Sequence, residues 1–331
     1  MIHITNIYKN LQKGDPWFSL FALEAYMESQ GIEQNPINQI KALKEFQKTY
    51  NFDILFPRMD LDEYIEIISN VKEKKKNISK SQDWAQFEPN QIIHSPSLTQ
   101  ISQSSTYQVL KNLYNPSDGI FRYIGGYVPA PYTLVSLILD LQVASELVIY
   151  KPEFLKSLIE FSQPIINFYA KMISEFVDTI FILAPSECTI MKRSYIDIVQ
   201  DSMNKLIKYC VSELNKPTVI HFCAKKVSHV VNDDIIGPMK DAGIIGLNIP
   251  NRIENMELAE RYNLILCGGI DPVTIQIQPK EKTLKELKQL IIDTKDIPYI
   301  YATNCQVKWA PGQISARDLV KLFKDIKQLL R

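Results

Sequence analysis

The second half of the chain switches regularly between short apolar runs and longer amphipathic stretches. "DTIFILAPS" is followed by "YIDIVQDSMNKLIKYCVSEL", "TVIHFCA" by "DDIIGPMKDAG", and "IIGLNIP" by "NMELAERY". "LILCGGIDP" is followed by "LKELKQLIIDT", and "YIYATNC" by "ARDLVKLFKDIKQLL". In the longer stretches apolar residues recur with the period of a helix face. The short runs are apolar throughout, as in strands covered on both faces. Strands alternating with helices build βαβ units and a parallel sheet.

The first half is less regular. Residues 1–50 read as helices, with "SLFALEAYMESQG" ending at Gly31 and "NQIKALKEFQKTY" repeating its stripe. "FDILFP" reads as a buried strand closed by a proline. Residues 72–100 are polar and aperiodic and read as a loop, with one doubtful strand at "QIIH". "TQISQSSTYQVLKNLY" has a helical pattern, and "GIFRYIGGYVPAP" reads as a strand that ends at Pro129 and Pro131. A long helical region from Thr133 to about Phe176 is expected to break at Pro152 and Pro164, because proline disrupts a helix interior.

Seven clear strands and a doubtful eighth, each separated by helices, predict an α/β chain folded as a (β/α)8 TIM barrel. Residues 1–331 are expected to form a single barrel domain, with residues 1–50 as a helical N-terminal extension packed on it. An open doubly wound sheet is the alternative. Its nucleotide-binding versions lose support because no GxGxxG or GxxxxGK[ST] follows a strand. The chain shows no internal repeat and no low-complexity segment.

Composition narrows the function classes. The 331 residues carry 37 basic and 37 acidic side chains, and no basic patch suits a nucleic acid partner. The lysine-rich runs at 72–76 and 280–282 are short and mixed in sign, and read as solvated. No apolar stretch reaches the roughly 18 residues of a membrane span. "MIHITNIYKN" lacks the apolar core of a signal peptide. The expectation is a cytoplasmic protein without a membrane partner. The five cysteines are odd in number and widely spaced, so free thiols or metal ligands are expected rather than a disulfide framework.

In a barrel the chemistry gathers where strands end. Arg58 and Asp60 follow the first clear strand, which contains Asp53. Ser186, Glu187 and Cys188 follow another, and Asn248, Cys267, Asp271, Asn304 and Cys305 end later ones. His221 and Cys223 lie two apart, a spacing that puts both side chains on one face of an extended segment. His221, Cys223 and Cys305 would supply the one nitrogen and two sulfurs of a catalytic zinc site with an open position. Burial in the core explains the same residues equally well. Cys210 and Cys267 read as core, and Cys188 stays open between core and site. His3, His94 and His229 have no partner at useful spacing. Asp53, Asn248 and Asp271 are the rim candidates for orienting a substrate, and each also reads as a cap or a hydrogen-bonding support. Tyr127 and Trp309 read as mouth-lining or as packing.

"VIHFCAKK", "AGIIGLNIPNRI", "LILCGGIDPVTI" and "YIYATNCQVKWAPGQISARDLVKLFKDI", together with "GGYVPAPYTLVSLIL" and "NFDILFPRMDL", resemble the uroporphyrinogen decarboxylase superfamily. The resemblance implies a (β/α)8 barrel. It also separates two chemistries. The decarboxylases carry an arginine-rich N-terminal segment, whereas "GDPWFSLFALEAYMESQG" contains no arginine. The zinc-dependent corrinoid methyltransferase branch, similar to methylcobamide:coenzyme M methyltransferases, carries His-x-Cys and a second cysteine about 80 residues later, the pattern of His221, Cys223 and Cys305. The resemblance therefore implies zinc at those three residues and a corrinoid (methylcobamide) supplied by a separate protein. A small methyl donor or thiol acceptor is the expected substrate. Two departures stand out: Asn248 occupies the place of an acidic residue that sometimes ligates zinc, with Glu254 or Glu257 as substitutes, and Gln306 replaces the glycine after the last cysteine. A corrinoid-independent thiol methyltransferase of the methionine-synthase kind and a non-catalytic binding relative are the competing expectations.

Overall fold

The computed structural model describes residues 17–19, 21–68, 86–114, 123–223, 227–250, 253–308 and 315–329. Eight strands run in parallel: β1 (Trp17–Phe18), β2 (Ile54–Leu55), β3 (Tyr123–Pro129), β4 (Thr179–Leu183), β5 (Thr218–His221), β6 (Gly246–Asn248), β7 (Ile265–Ile270) and β8 (Tyr299–Thr303). They pair in the order β1-β8-β7-β6-β5-β4-β3-β2, so consecutive strands are neighbours from β2 to β8. Each strand after β1 is reached by a crossover, and helices lie between the strands in sequence. The apolar runs explain the placement: β4 and β8 are buried at every position.

The expected closed barrel is met in part: the strands form a curled parallel sheet whose seam lacks a ladder. Among the described residues β1 and β2 pair with β8 and β3 and not with each other. Each is two residues long, too short to sustain a ladder on both sides. The seam is bridged instead by the Ser19 hydroxyl, which donates to the Ile54 carbonyl at 2.9 Å. Phe21 crosses it as well, packing edge-on against Phe56 and Phe181 at centroid distances of 4.9 and 5.9 Å. These rings join Tyr127, Leu183, Val219, Cys267 and Ala302 in a second apolar cluster, drawn from strands around the sheet. Burying one such side chain contributes roughly 1.5–3 kcal/mol, so the cluster supports the curl that the short strands cannot.

Several local expectations change. The eighth strand is β1, inside the segment read as wholly helical, and "QIIH" instead continues a helical turn, Pro89–Ile92. Two residues give no periodicity to read. The helices Leu23–Ser29 and Pro36–Tyr50 do form, and Phe46 and Tyr50 of the latter pack edge-on against Phe323 in the last helix, Ala316–Leu329. Pro164 does not break its helix, which runs unbroken from Pro152 to Ser174 with a largely buried face. Packing along 23 residues outweighs the one backbone bond that a proline removes. The region does break at Lys151, directly before Pro152, as expected, and it breaks again at Asp140, between the helices Pro131–Leu139 and Leu141–Tyr150. Asp140 has a φ of 91° and caps the second helix through Gln142 N–H at 3.0 Å. Among the described residues no single helix is long and apolar enough to cross a membrane.

Candidate metal centre

His221 ends β5. Its register partners are Leu183 on β4 and Asn248 on β6, and Asn248 is in register with Cys267 on β7. Val219 belongs to the interior cluster, and alternation along the strand puts His221 on the same face, one layer nearer the C-terminal end. Cys223 lies two residues past the strand and Cys305 two past β8. The ligand atoms of His221, Cys223 and Cys305 all lie within 4.8 Å of one another. His221 is buried, and the two cysteines are half-buried. The sequence pattern therefore brings together the three residues it singled out.

The Cys223 thiol donates to the Cys305 sulfur at 3.0 Å, and all five cysteines are free. A proton held between two sulfurs drives their acidities apart. The Cys223 hydrogen bond draws Cys305 well below the ordinary thiol range, helped by the Gln306 N–H, against the cost of burial. Cys223 is pushed up because it is the donor, and burial adds to this. Such a pair reaches the thiolate form that a soft cation binds.

Asn248 is fully buried beside this cluster. Its Nδ2 donates to the Cys267 carbonyl at 2.8 Å and its Oδ1 meets His221 Nδ1. Two glycines of β7 lie against the neighbouring Asn304. Gly268 has a φ of +137°, and a Cβ there would come within 2.6 Å of Asn304 Oδ1 and 2.8 Å of the Ile249 carbonyl. Gly269, at a φ of +94°, donates its N–H to Asn304 Oδ1 at 2.7 Å. Asn304 is thereby pinned, and with it the turn that presents Cys305.

The cluster opens on two cavities that share both cysteines. One, of about 300 Å³, has His221 in its wall and a charged rim of Glu24, Arg58, Asp60 and Lys308. The other, of about 720 Å³, is walled by Asp271, Asn304, Phe222 and Leu290 among others. In the smaller cavity Glu24 accepts from the Gln306 side-chain amide and stands 3.7 Å from Arg58, whose other side pairs with Asp60 at 3.0 Å. Burial pushes the Glu24 carboxyl up, and Arg58 opposes the shift. The Nε–H of Arg58 is buried without a hydrogen-bond partner among the described residues.

The other rim candidates separate. Arg58 and Asp60 reach the smaller cavity as expected. Asp271 reaches the larger one, but its Oδ1 also accepts the Val273 and Thr274 N–H groups at 2.8 and 3.4 Å, which makes it a turn cap. Asp53 precedes β2 and so sits at the N-terminal end of the sheet, away from the rim where His221 ends β5. Cys210 and Cys267 are core, and Tyr127 packs on Phe56 at 5.1 Å. His94 is exposed, while His229 Nε2 donates to the Cys188 carbonyl at 2.7 Å. Glu257 is exposed on the helix Ile253–Arg261; Trp309, His3 and the Glu254 side chain lie outside the described residues. Glu187 is fully buried behind the site, accepting from Thr133 N–H at 3.1 Å. Sequence reasoning singled out Gln306 beside Cys305 but missed Glu24 and Lys308 as cavity residues. A lone acid inside the apolar run Phe21–Ala25 was the available signal.

No curated protein matches this sequence. Among solved structures, a methyltransferase from Methanosarcina mazei superimposes with a TM-score of 0.73 at 17% identity, covering 98% of this chain and 97% of that one. A B12-independent methionine synthase from Shewanella sp. W3-18-1, in complex with selenomethionine, gives a TM-score of 0.55 at 15% identity over 88% and 87%. These likenesses establish the fold. The sequence model of uroporphyrinogen decarboxylase (URO-D) matches residues 52–324, and the chain belongs to that family.

Proposed function

We propose that this protein is a zinc-dependent methyltransferase that moves a methyl group between a corrinoid, carried by a separate protein, and a small polar thiol. The observation that carries the reading is the donor set: one imidazole and two cysteine sulfurs within 4.8 Å, facing a cavity with a charged rim. Two thiols and a neutral imidazole are the ligand types zinc selects. Zinc at that site would supply Lewis acidity, lowering the pKa of a thiol at neutral pH. The same reading takes residues 1–331 as one domain and the curled sheet as a closed barrel, with Ser19 and Phe21 spanning its seam.

The chain's own residues divide the remaining work. Glu24, Asp60, Arg58 and Lys308 give the smaller cavity charges of both signs, which suits the polar end of a thiol better than an aryl ether. Arg58, held between Glu24 and Asp60, is the guanidinium this reading gives to a substrate anion. The larger cavity, walled by Asp271 and Asn304, is the place this reading gives to the methyl donor. Donor and acceptor then approach the cysteine pair from different sides.

The test is a methyl-transfer assay on zinc-loaded protein with methylcobalamin and either 2-mercaptoethanesulfonate or homocysteine. The expected result is a zinc-dependent loss of the methylcobalamin spectrum matched by methyl thioether. No transfer to any thiol would overturn the reading. The methionine-synthase likeness favours one alternative, a corrinoid-independent thiol methyltransferase. Thioether formed from a non-corrinoid donor but not from methylcobalamin would select it.

A further inference from the structure

Asn248 occupies the place where the family's acidic residue would stand, yet its contacts turn it away from metal binding. A backbone carbonyl can only accept a hydrogen bond. The amide face that meets the Cys267 carbonyl at 2.8 Å must therefore be the NH2 group. This leaves the Asn248 oxygen facing His221 Nδ1. An oxygen acceptor at that point requires the proton to be on Nδ1. A neutral imidazole protonated there carries its free lone pair on Nε2.

We infer that Asn248 is a positioning residue that holds His221 in the Nδ1–H tautomer, and so presents Nε2 to the sulfurs of Cys223 and Cys305 before any ion binds. The inference deepens the proposed function, but the tautomer itself does not depend on zinc. Three features support it. Asn248 and His221 are both buried, so water does not compete for Nδ1. Asn248 is held on both sides, by its own Nδ2 contact and by the Phe222 N–H, which donates to its carbonyl at 3.1 Å. Both amide heteroatoms are engaged within the fold. A ligating histidine whose other nitrogen is held in this way binds metal more tightly.

The experiment uses the metal-free full-length protein, with ¹⁵N-labelled histidine and two-bond ¹H–¹⁵N correlation spectra, followed by zinc titration against a competing chelator. Wild type is expected to show His221 wholly as the Nδ1–H tautomer. Asn248→Ala is expected to release it toward the Nε2–H form and to weaken zinc binding by roughly 10–100-fold. Asn248→Asp keeps the acceptor and loses the donor, and it should retain the Nδ1–H tautomer. The aspartate comparison decides the matter should the alanine variant fail to fold. A wild-type His221 in the Nε2–H form, or an aspartate variant that loses the Nδ1–H form, would overturn the inference. An Nδ1–H tautomer in a protein that binds no zinc would uphold it while removing the proposed function.

Discussion

The sulfurs of Cys223 and Cys305, 82 positions apart in sequence, stand 3.0 Å from each other at the mouth of the sheet. With one proton between them, Cys305 carries thiolate character in the metal-free protein. Iodoacetamide at neutral pH should therefore label Cys305 ahead of Cys188, whose thiol is pushed up to about 12 by burial, and ahead of the buried Cys210 and Cys267. Mass spectrometry of the alkylated peptides reads the order. Zinc should suppress labelling of Cys305, and Cys223→Ala should slow it by removing the hydrogen-bond donor.

Glu187 gives the fold a pH dependence. Burial pushes its carboxyl up to about 7, against the opposing hydrogen bonds from Thr133. The folded state thus favours the protonated acid. Its stabilisation is complete below the ordinary carboxylate pKa and is lost as the pH rises toward and through about 7. Glu187→Gln should remove this loss. The stability gap between variant and wild type should grow by on the order of 3 kcal/mol from pH 4.5 to pH 7.5, as read from urea midpoints.

Gly268 should not tolerate a side chain. An alanine there meets Asn304 Oδ1 and the Ile249 carbonyl inside contact distance and must also hold a φ of +137°. Gly268→Ala is expected to cost about 1–3 kcal/mol and to loosen the Asn304 turn before Cys305. Zinc affinity should fall together with the urea midpoint. A change in stability alone would mean that the turn does not position Cys305.

Phe21 fastens the seam. Phe21→Ala removes a ring that packs against Phe56, Tyr127 and Phe181. The expected loss is about 3–5 kcal/mol, measured by denaturant unfolding. Proteolysis should nick the chain first near β1 or β2.

Much of this fold is legible in the pattern of apolar positions, and the exceptions have physical causes. Strands β4, β5, β7 and β8 have four to six residues each between amphipathic helices, enough to register as runs. β1 has two and leaves no pattern. Pro164 and Asp140 misplace a helix break because tertiary packing, not local preference, decides it there. In the site, the period of two in His221-Phe222-Cys223 pointed to a shared face, although β5 stops at His221 and Cys223 reaches the cluster from beyond it. Cys305 is tied to that pair by the spacing of the family resemblance. Asn248 was visible as a strand end, but the roles of its two amide atoms emerge only once β5, β6 and β7 are in register. Glu24 is hidden because it sits in an apolar helical stripe whose burial resembles packing.

The most direct test of the account is the zinc content of the purified protein after reloading under reducing conditions, beside His221→Ala, Cys223→Ser and Cys305→Ser. The account predicts about one zinc per chain in wild type, since the three residues form one site, and loss of that zinc in each variant whose fold is intact. A wild type that holds no zinc, or folded single variants that keep it, would contradict the claim that these residues form a metal centre.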